Sequence, residues 1–460
     1  MSRPPDAADP ALRANVRTLG EILGRVLTEQ EGEDVFGLEE RIRLLARLGR
    51  AGDTGASRAL AETIARLDVE TQAVVLRAFT VYFHLANIAE QHHRVRRRRE
   101  IERQGGILRE SLDEALEQLR SDGVEPDELA AAAERVSVEL VLTAHPTEAL
   151  PRTILEKHRR IAQLLDELDD VRLTPDERGT RETDLAEEVT ILWQTDEVRS
   201  QRPRVVDEIR QGLWFLEESL WNASADLLAV WRDRLPGAPL RFGTWIGGDL
   251  DGNPNAGVAT VREAVERAAA LVRDLVRRDV RALASSWGMS TTLVEADREV
   301  AAVDLPESAN PTEPYRRRLT AIWERLGEDG YRSVDDLRAE LDVVETSLRA
   351  HGGARIADGG LAALRRRLDV FGLTGPSLDL RLHARTLREA PDDALVVLQE
   401  AATLQRQRGS QAVDTLIVSM TRSADDVVGA EELAGRSTTS AARPRSSRSC
   451  STGARASASR

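Results

Sequence analysis

Four short runs of β-branched and aliphatic residues, held far apart by helical stretches, constrain this chain more than any other feature. They are Val136–Thr143, Leu240–Ile246, Ser377–Leu382 and Asp414–Met420. Each has the length and composition of a buried strand. Between them apolar residues recur at helical spacing, over about Leu150–Trp231 with a break near Arg172–Pro175, and over Val258–Val370. Loops are expected around Pro306–Pro314 and Gly352–Gly359, and Ser423 is placed to cap a last helix through Asp425 and Asp426. Strands separated by helices imply parallel β/α units. The expected fold class is α/β, mainly helical: a partial β/α barrel, with about four of the eight strands that closure needs, and extensive added helices. Along the chain this reads as a helical region over 1–132, the partial barrel with helical insertions over 133–434, and a tail over 435–460.

Composition narrows the class. A hydrophobic content of 41% permits a core, but with aromatics at 3% Leu, Val and Ala must fill it. No hydrophobic run follows MSRPPDAADP and nothing approaches a membrane-spanning stretch, so the expectation is a cytoplasmic protein with no membrane partner. Cys450 is the single cysteine, which leaves no disulfide framework. A net charge of −14 argues against nucleic acid as a partner. Lys157 is the only lysine among 64 basic residues, a bias that GC-rich coding explains.

From Arg436 onward the character changes. RSTTSAARPRSSRSCSTGARASASR carries six arginines, no acid and no large aliphatic or aromatic residue. It reads as a disordered Ser/Arg/Ala-rich tail translated out of frame, with a basic interaction tail as the alternative.

The strand ends carry the candidate chemistry. His145 follows the first run and Pro146 biases it away from helix, so its imidazole is expected at a strand-to-helix corner, a good mount for a general base. A turn histidine that only hydrogen-bonds a loop is the competing reading. Gly247–Asn255 is dense in Gly, Asp and Asn, residues that tolerate tight turns; Asp249, Asp251 and Asn253 are expected to shape this loop and to orient basic groups. A calcium loop is excluded, because Pro254 stands where glycine is needed and Thr260 where glutamate should coordinate. The run Arg96–Arg99 lies among Glu90, Glu100 and Glu102, which favours a solvated helix face or ion pairs over nucleic-acid binding. His92 and His93 are adjacent and point to different sides of a helix, which disfavours metal ligation by the pair.

Two long motifs add a resemblance. VLTAHPTEA, with Arg152, Thr153 and Lys157 after it, and FGTWIGGDLDGNPN at Phe242–Asn255 closely resemble the signatures of the phosphoenolpyruvate carboxylase family. Phe83–Arg99, Trp193–Pro203 and Glu313–Arg316 give softer matches, and the likeness runs over roughly 10–434. The resemblance implies carboxylation of phosphoenolpyruvate by bicarbonate to oxaloacetate and phosphate, feeding the tricarboxylic acid cycle. It gives His145 the proton of carboxyphosphate and Trp245 the sheltering of CO2, with core packing the competing role for Trp245. FGLTGPSLDLRL resembles the family's strand ending LDIRQ, so Arg381 falls on its substrate-binding arginine. Leu382 replaces the usual glutamine, Arg385 is the fallback, and pairing of Arg381 with Asp379 or a nearby acid is the competing reading. Leu250 stands where the family has arginine, which removes any anion contact there. The resemblance also implies a Mg2+ or Mn2+ ion whose ligands have no counterpart in this chain, and a homo-oligomer, a tetramer when complete. The chain alone is therefore expected to be inactive. A phosphohistidine phosphotransferase and a non-catalytic partner of the same family are the alternatives.

Overall fold

The computed structural model describes residues 9–143, 150–196, 204–303, 310–328 and 330–438. The chain divides into two compact units that interleave along the sequence: Met1–Val124 with Leu150–Arg202, and Glu125–Ala149 with Pro203–Arg460.

The first unit is helical. Its helices are Pro10–Glu31, Glu33–Arg50, Thr54–Ala65, Val69–Arg103 and Leu112–Ser121, joined by Arg152–Leu168 and Pro175–Gln194. The last two belong here because their apolar stripes complete this core. Ile154, Ile161 and Leu164 of one and Leu185, Val189 and Leu192 of the other are fully buried against Leu19, Val81 and Leu85. The expected break between them is built by a capping box. Thr174 accepts from the Glu177 backbone, and the Glu177 carboxylate accepts from the Thr174 backbone. Arg96 and Arg99 pair with Asp169 and Asp166, the latter at 2.6 Å, so this basic run forms ion pairs between helices. His92 likewise meets Asp169 at 2.9 Å. Lys157 pairs with Glu188 at 2.8 Å, with both side chains largely buried.

Among the described residues the second unit holds four strands: β1, Val138–Leu142; β2, Leu240–Thr244; β3, Ser377–His383; and β4, Thr415–Ser419. They form one open parallel sheet in the order β1-β2-β3-β4. Each strand lies within the run expected of it, apart from one further residue, His383, on β3. That strand is buried on both sides, and its alternation decides everything around it. Leu378, Leu380 and Leu382 turn to an apolar layer made with Val261 and Val265 of the helix Val258–Ser286 and Leu398 of the helix Pro391–Arg408. Asp379 and Arg381 take the opposite face, beside Arg241 and Gly243 of β2 and Glu139 of β1.

A second core of the unit packs behind β2, where Phe371 stacks between Trp221 and Phe242 at centroid distances of 5.5 and 5.3 Å. The scarce aromatics are concentrated there. The loop expected at Gly352–Gly359 is shorter than the sequence suggests. After a turn at Gly352, helix resumes at Ala354 and passes through a π-turn, Ala357–Leu361, whose two end residues are fully buried. Burial of that pair carries helix to either side of Gly359, whose own backbone (φ −84°, ψ −122°) is not helical. At the sheet's margin, Val138, Leu140 and Val141 of β1 are each more than a third exposed, as an unpaired edge requires. The final helix, Ala424–Thr438, continues past the compositional break at Arg436. Its start uses the expected acid: the Asp426 carboxylate accepts from the Arg422 and Ser423 backbones, while Ser423 contributes its N–H.

Candidate active site

The ends of β2 and β3 are fastened to each other by backbone. Past Thr244 the chain does not leave the sheet at once. Trp245 donates its N–H to the Leu142 carbonyl at the end of β1. The following loop then runs beside β3: Arg381 donates to the Gly248 carbonyl, and Leu250 donates to the Arg381 carbonyl, both at 2.9 Å. So close a seam admits only glycine at its centre. A Cβ on Gly248 would lie 2.2 Å from the Asp379 carbonyl oxygen. Gly247 is required twice over, since its φ is +95° and a Cβ would meet Ala264 at 2.8 Å.

The rest of the loop is held by its own polar residues. Asp249 accepts from the Asp251 backbone and Asn253 from the Asn255 backbone, each bridging two residues. Thr260 closes the loop's far end by donating to the Gly247 carbonyl at 3.0 Å. Leu250, at the position where arginine resembles the family pattern, packs against the apolar layer beneath β3. Its side chain has exchanged a charged role for a core one. Leu382, one strand position beyond Arg381 where the family pattern has glutamine, replaces a polar side chain with a fully buried one.

This frame brings Trp245, Asp249, Asp251 and Arg381 together. The Arg381 guanidinium lies over the Trp245 ring, 4.8 Å from its centroid. It faces Asp249 at 3.5 Å and Asp251 at 3.3 Å. Both separations exceed the 2.7–2.9 Å or so of a tight charge-assisted hydrogen bond. The side chain is 28% exposed. Arg381 is therefore aimed by two carboxylates and a ring, with donors left over for an anion. Arg385 is not part of this group: it is exposed on the short helix Ala384–Glu389 and pairs with Glu389. Asn253 shapes the turn without touching the guanidinium. His145 lies outside the described residues.

Asp379, read from sequence only as a competing partner for Arg381, has a different place. Its Oδ2 accepts the Trp245 indole N–H at 3.0 Å, and its Oδ1 is buried with no partner among the described residues. Burial, then the nearby charges of Glu139 and Asp414, push its carboxyl up to about 6 against the pull of the indole and of Arg241. The available sequence signal was a lone acid two residues before Arg381 in an otherwise apolar strand, hence on the same face. Around it, Arg241 pairs with Asp414, and Ser377 donates to Asp414 at 2.6 Å.

Among the described residues, no three His, Cys, Asp or Glu side chains come together to hold a metal ion. The described residues show no site for the divalent ion that the resemblance implies. No described helix is long and apolar enough to cross a membrane.

Comparison with known proteins gives the family. The family model for phosphoenolpyruvate carboxylase matches residues 12–395. The phosphoenolpyruvate carboxylase of Ectopseudomonas mendocina is 39% identical over 415 residues, covering 84% of this chain and 46% of that protein. Those of Alcanivorax borkumensis and Ralstonia nicotianae are each 36% identical, covering 80% and 83% of this chain and 44% and 43% of theirs. The chain spans about half the length of the curated relatives it matches. With most of its length matched, and with the paired ends of β2 and β3 carrying the family's motifs, the chain belongs to the phosphoenolpyruvate carboxylase family.

Proposed function

We propose that this chain supplies the anion-binding and CO2-sheltering side of a cytoplasmic phosphoenolpyruvate carboxylase site, on a sheet that is part of a β/α barrel. One observation carries the reading. An arginine with spare donors stands on a tryptophan between two carboxylates, where two parallel strands end. Catalytic groups of β/α barrels sit at that end.

In the reaction, a bicarbonate oxygen attacks the phosphorus of phosphoenolpyruvate and the bond to the enol oxygen breaks. This gives carboxyphosphate and the enolate of pyruvate. His145 takes the carboxyphosphate proton, the bond from carbon to the bridging oxygen breaks, and CO2 and phosphate separate. The enolate methylene carbon then bonds to CO2, giving oxaloacetate. Arg381 presents a planar fork to the transferring phosphoryl group, and Asp249 and Asp251 hold that fork in register. Trp245 offers an apolar wall that keeps water from the CO2.

Isothermal titration of the purified chain with phosphoenolpyruvate tests the reading. Arg381→Gln is expected to weaken binding at least about tenfold, as loss of a charge-assisted pair should. Equal affinity for both proteins would remove Arg381 from the site. The chain spans less than half the length of its curated relatives, and the resemblance puts the metal ligands outside it, so the chain by itself is expected to form no oxaloacetate. Turnover by the purified chain, followed through malate dehydrogenase and NADH, would overturn that part.

A further inference from the structure

We propose that Asp379 is a positioning residue that anchors Trp245 by its indole N–H and through that ring fixes the guanidinium of Arg381. The proposal rests on the reading of Arg381 as the substrate arginine.

The geometry is a three-part stack. Asp379 is 3% exposed, and its Oδ2 receives the indole N–H at 3.0 Å. The ring so held carries Arg381 at 4.8 Å. Both termini of the relay lie on β3, two residues apart and on one face, while the ring comes from the end of β2. A tryptophan ring can pivot about its side-chain bonds. The backbone bond of Trp245 to Leu142 fixes its Cα, and the indole bond to Asp379 fixes its plane. An indole N–H buried without an acceptor would cost the full desolvation of that group. Asp379 is thus the groove into which the ring locks.

Space for this arrangement is provided by Gly243. A Cβ there would lie 3.5 Å from Asp379 Oδ1, 3.2 Å from Glu139 Oε1 and 3.5 Å from Val141. A side chain at this β2 position would press first on the Glu139 carboxylate and would fill the space beside Asp379 Oδ1. The other groups facing Asp379 are Glu139 from β1, Arg241 from β2 and Asp414 just before β4. Their balance leaves the carboxyl titrating near pH 6, so it shifts between a neutral and a charged acceptor within the working range of a cytoplasmic enzyme. Either form accepts the indole N–H through Oδ2. The charged form accepts it more strongly.

The test uses the whole chain labelled with 5-fluorotryptophan, the Trp245 fluorine signal being assigned by its loss in Trp245→Phe. Phosphoenolpyruvate affinity is measured on the same samples by calorimetry. Asp379→Leu is expected to move the Trp245 signal and to weaken phosphoenolpyruvate binding about fivefold, the loss of one hydrogen bond's worth of order. Asp379→Asn, whose side-chain oxygen still accepts the indole N–H, is expected to restore both. Trp245→Phe keeps a ring beneath the guanidinium and removes the N–H. It should weaken binding to a similar degree, and adding Asp379→Asn to it should change nothing more. This arm stands even where Asp379→Leu fails to fold.

Normal affinity in Asp379→Leu or Trp245→Phe, with Arg381→Gln impaired, would overturn the proposal while leaving the substrate reading intact. An unmoved Trp245 signal in Asp379→Leu would overturn it as well. If the unaltered chain binds no phosphoenolpyruvate, the substrate reading falls. The fluorine signal then decides alone: displacement by both Asp379→Leu and Arg381→Gln, with retention in Asp379→Asn, supports the anchored stack, and any other pattern ends it.

Discussion

Each unit of this molecule buries a titratable side chain, and the two make opposite use of it. In the helical unit, His84 and His158 stack at a centroid distance of 4.7 Å, and burial, followed by the charge of His84, lowers His158 to about 4. In the sheet unit, burial raises Asp379 to about 6. The physical cause is the same, since low dielectric favours the neutral form of either group. The histidines meet each other between the helices Val69–Arg103 and Arg152–Leu168. Asp379 meets a tryptophan that carries an arginine. A shifted pKa marks a site only where the surrounding groups converge on a place for a ligand.

The contrast is broken most severely through glycine. Gly248→Ala forces a Cβ against the Asp379 carbonyl, and the expected loss is about 3–5 kcal/mol or failure of the sheet unit to fold. Chemical denaturation followed by tryptophan fluorescence measures it, and a loss under 1 kcal/mol or so would show that the seam is not tight.

Next in size comes pH. Asp379 has a folded pKa above the unfolded value, so its contribution is present in acid and is lost as pH rises from about 4 to 6. Asp379→Asn should remove a penalty of up to about 3 kcal/mol at pH 7, with little gain at pH 4. His158 has a folded pKa below the unfolded one. The unfolded chain therefore takes the proton first, and stability falls as pH drops from 6.5 toward about 4. His158→Phe should flatten that slope, by roughly 1–2 kcal/mol because the residue is only partly buried. Urea midpoints between pH 4.5 and 7 separate the two, since the slopes have opposite sign. Parallel slopes would sink the comparison.

Smaller effects sharpen it. Gly179 sits in the helix Pro175–Gln194 with nothing within 4 Å of a built Cβ, so Gly179→Ala should stabilise by about 0.5–1 kcal/mol. Its thermal midpoint should rise where that of Gly248→Ala falls. Arg385→Ala, removing an exposed pair with Glu389, should change stability by less than about 0.5 kcal/mol and leave phosphoenolpyruvate affinity untouched. A binding defect in that variant would return Arg385 to the site in place of Arg381.

Much of this was readable from the residues. Composition and period placed all four strands, and the density of Gly, Asp and Asn marked the loop after β2. Within the loop, Asp249 and Asn253 each accept from the backbone two positions on, and such local chemistry leaves a local trace. The anchoring of Trp245 by Asp379 spans 134 positions, so no window of sequence contains both partners. The same limit hid the interleaving of the units. The stripes on Arg152–Leu168 and Pro175–Gln194 announce helices that need a core, but not which core. At Gly352–Gly359 the glycines argued for a loop; the chain does leave helical geometry at Gly352 and Gly359, while buried Ala357 and Leu361 carry helix between and beyond them.

The ion pair of Lys157 has a practical consequence. A chain with one lysine offers amine reagents one ε-amino group, here engaged with Glu188 and largely shielded from water. Its acylation rate, read by mass spectrometry of the intact chain, becomes a clock for how often the Arg152–Leu168 and Pro175–Gln194 helices part. The helical unit thus carries its own reporter, silent while it is closed and blind to whatever happens at the sheet.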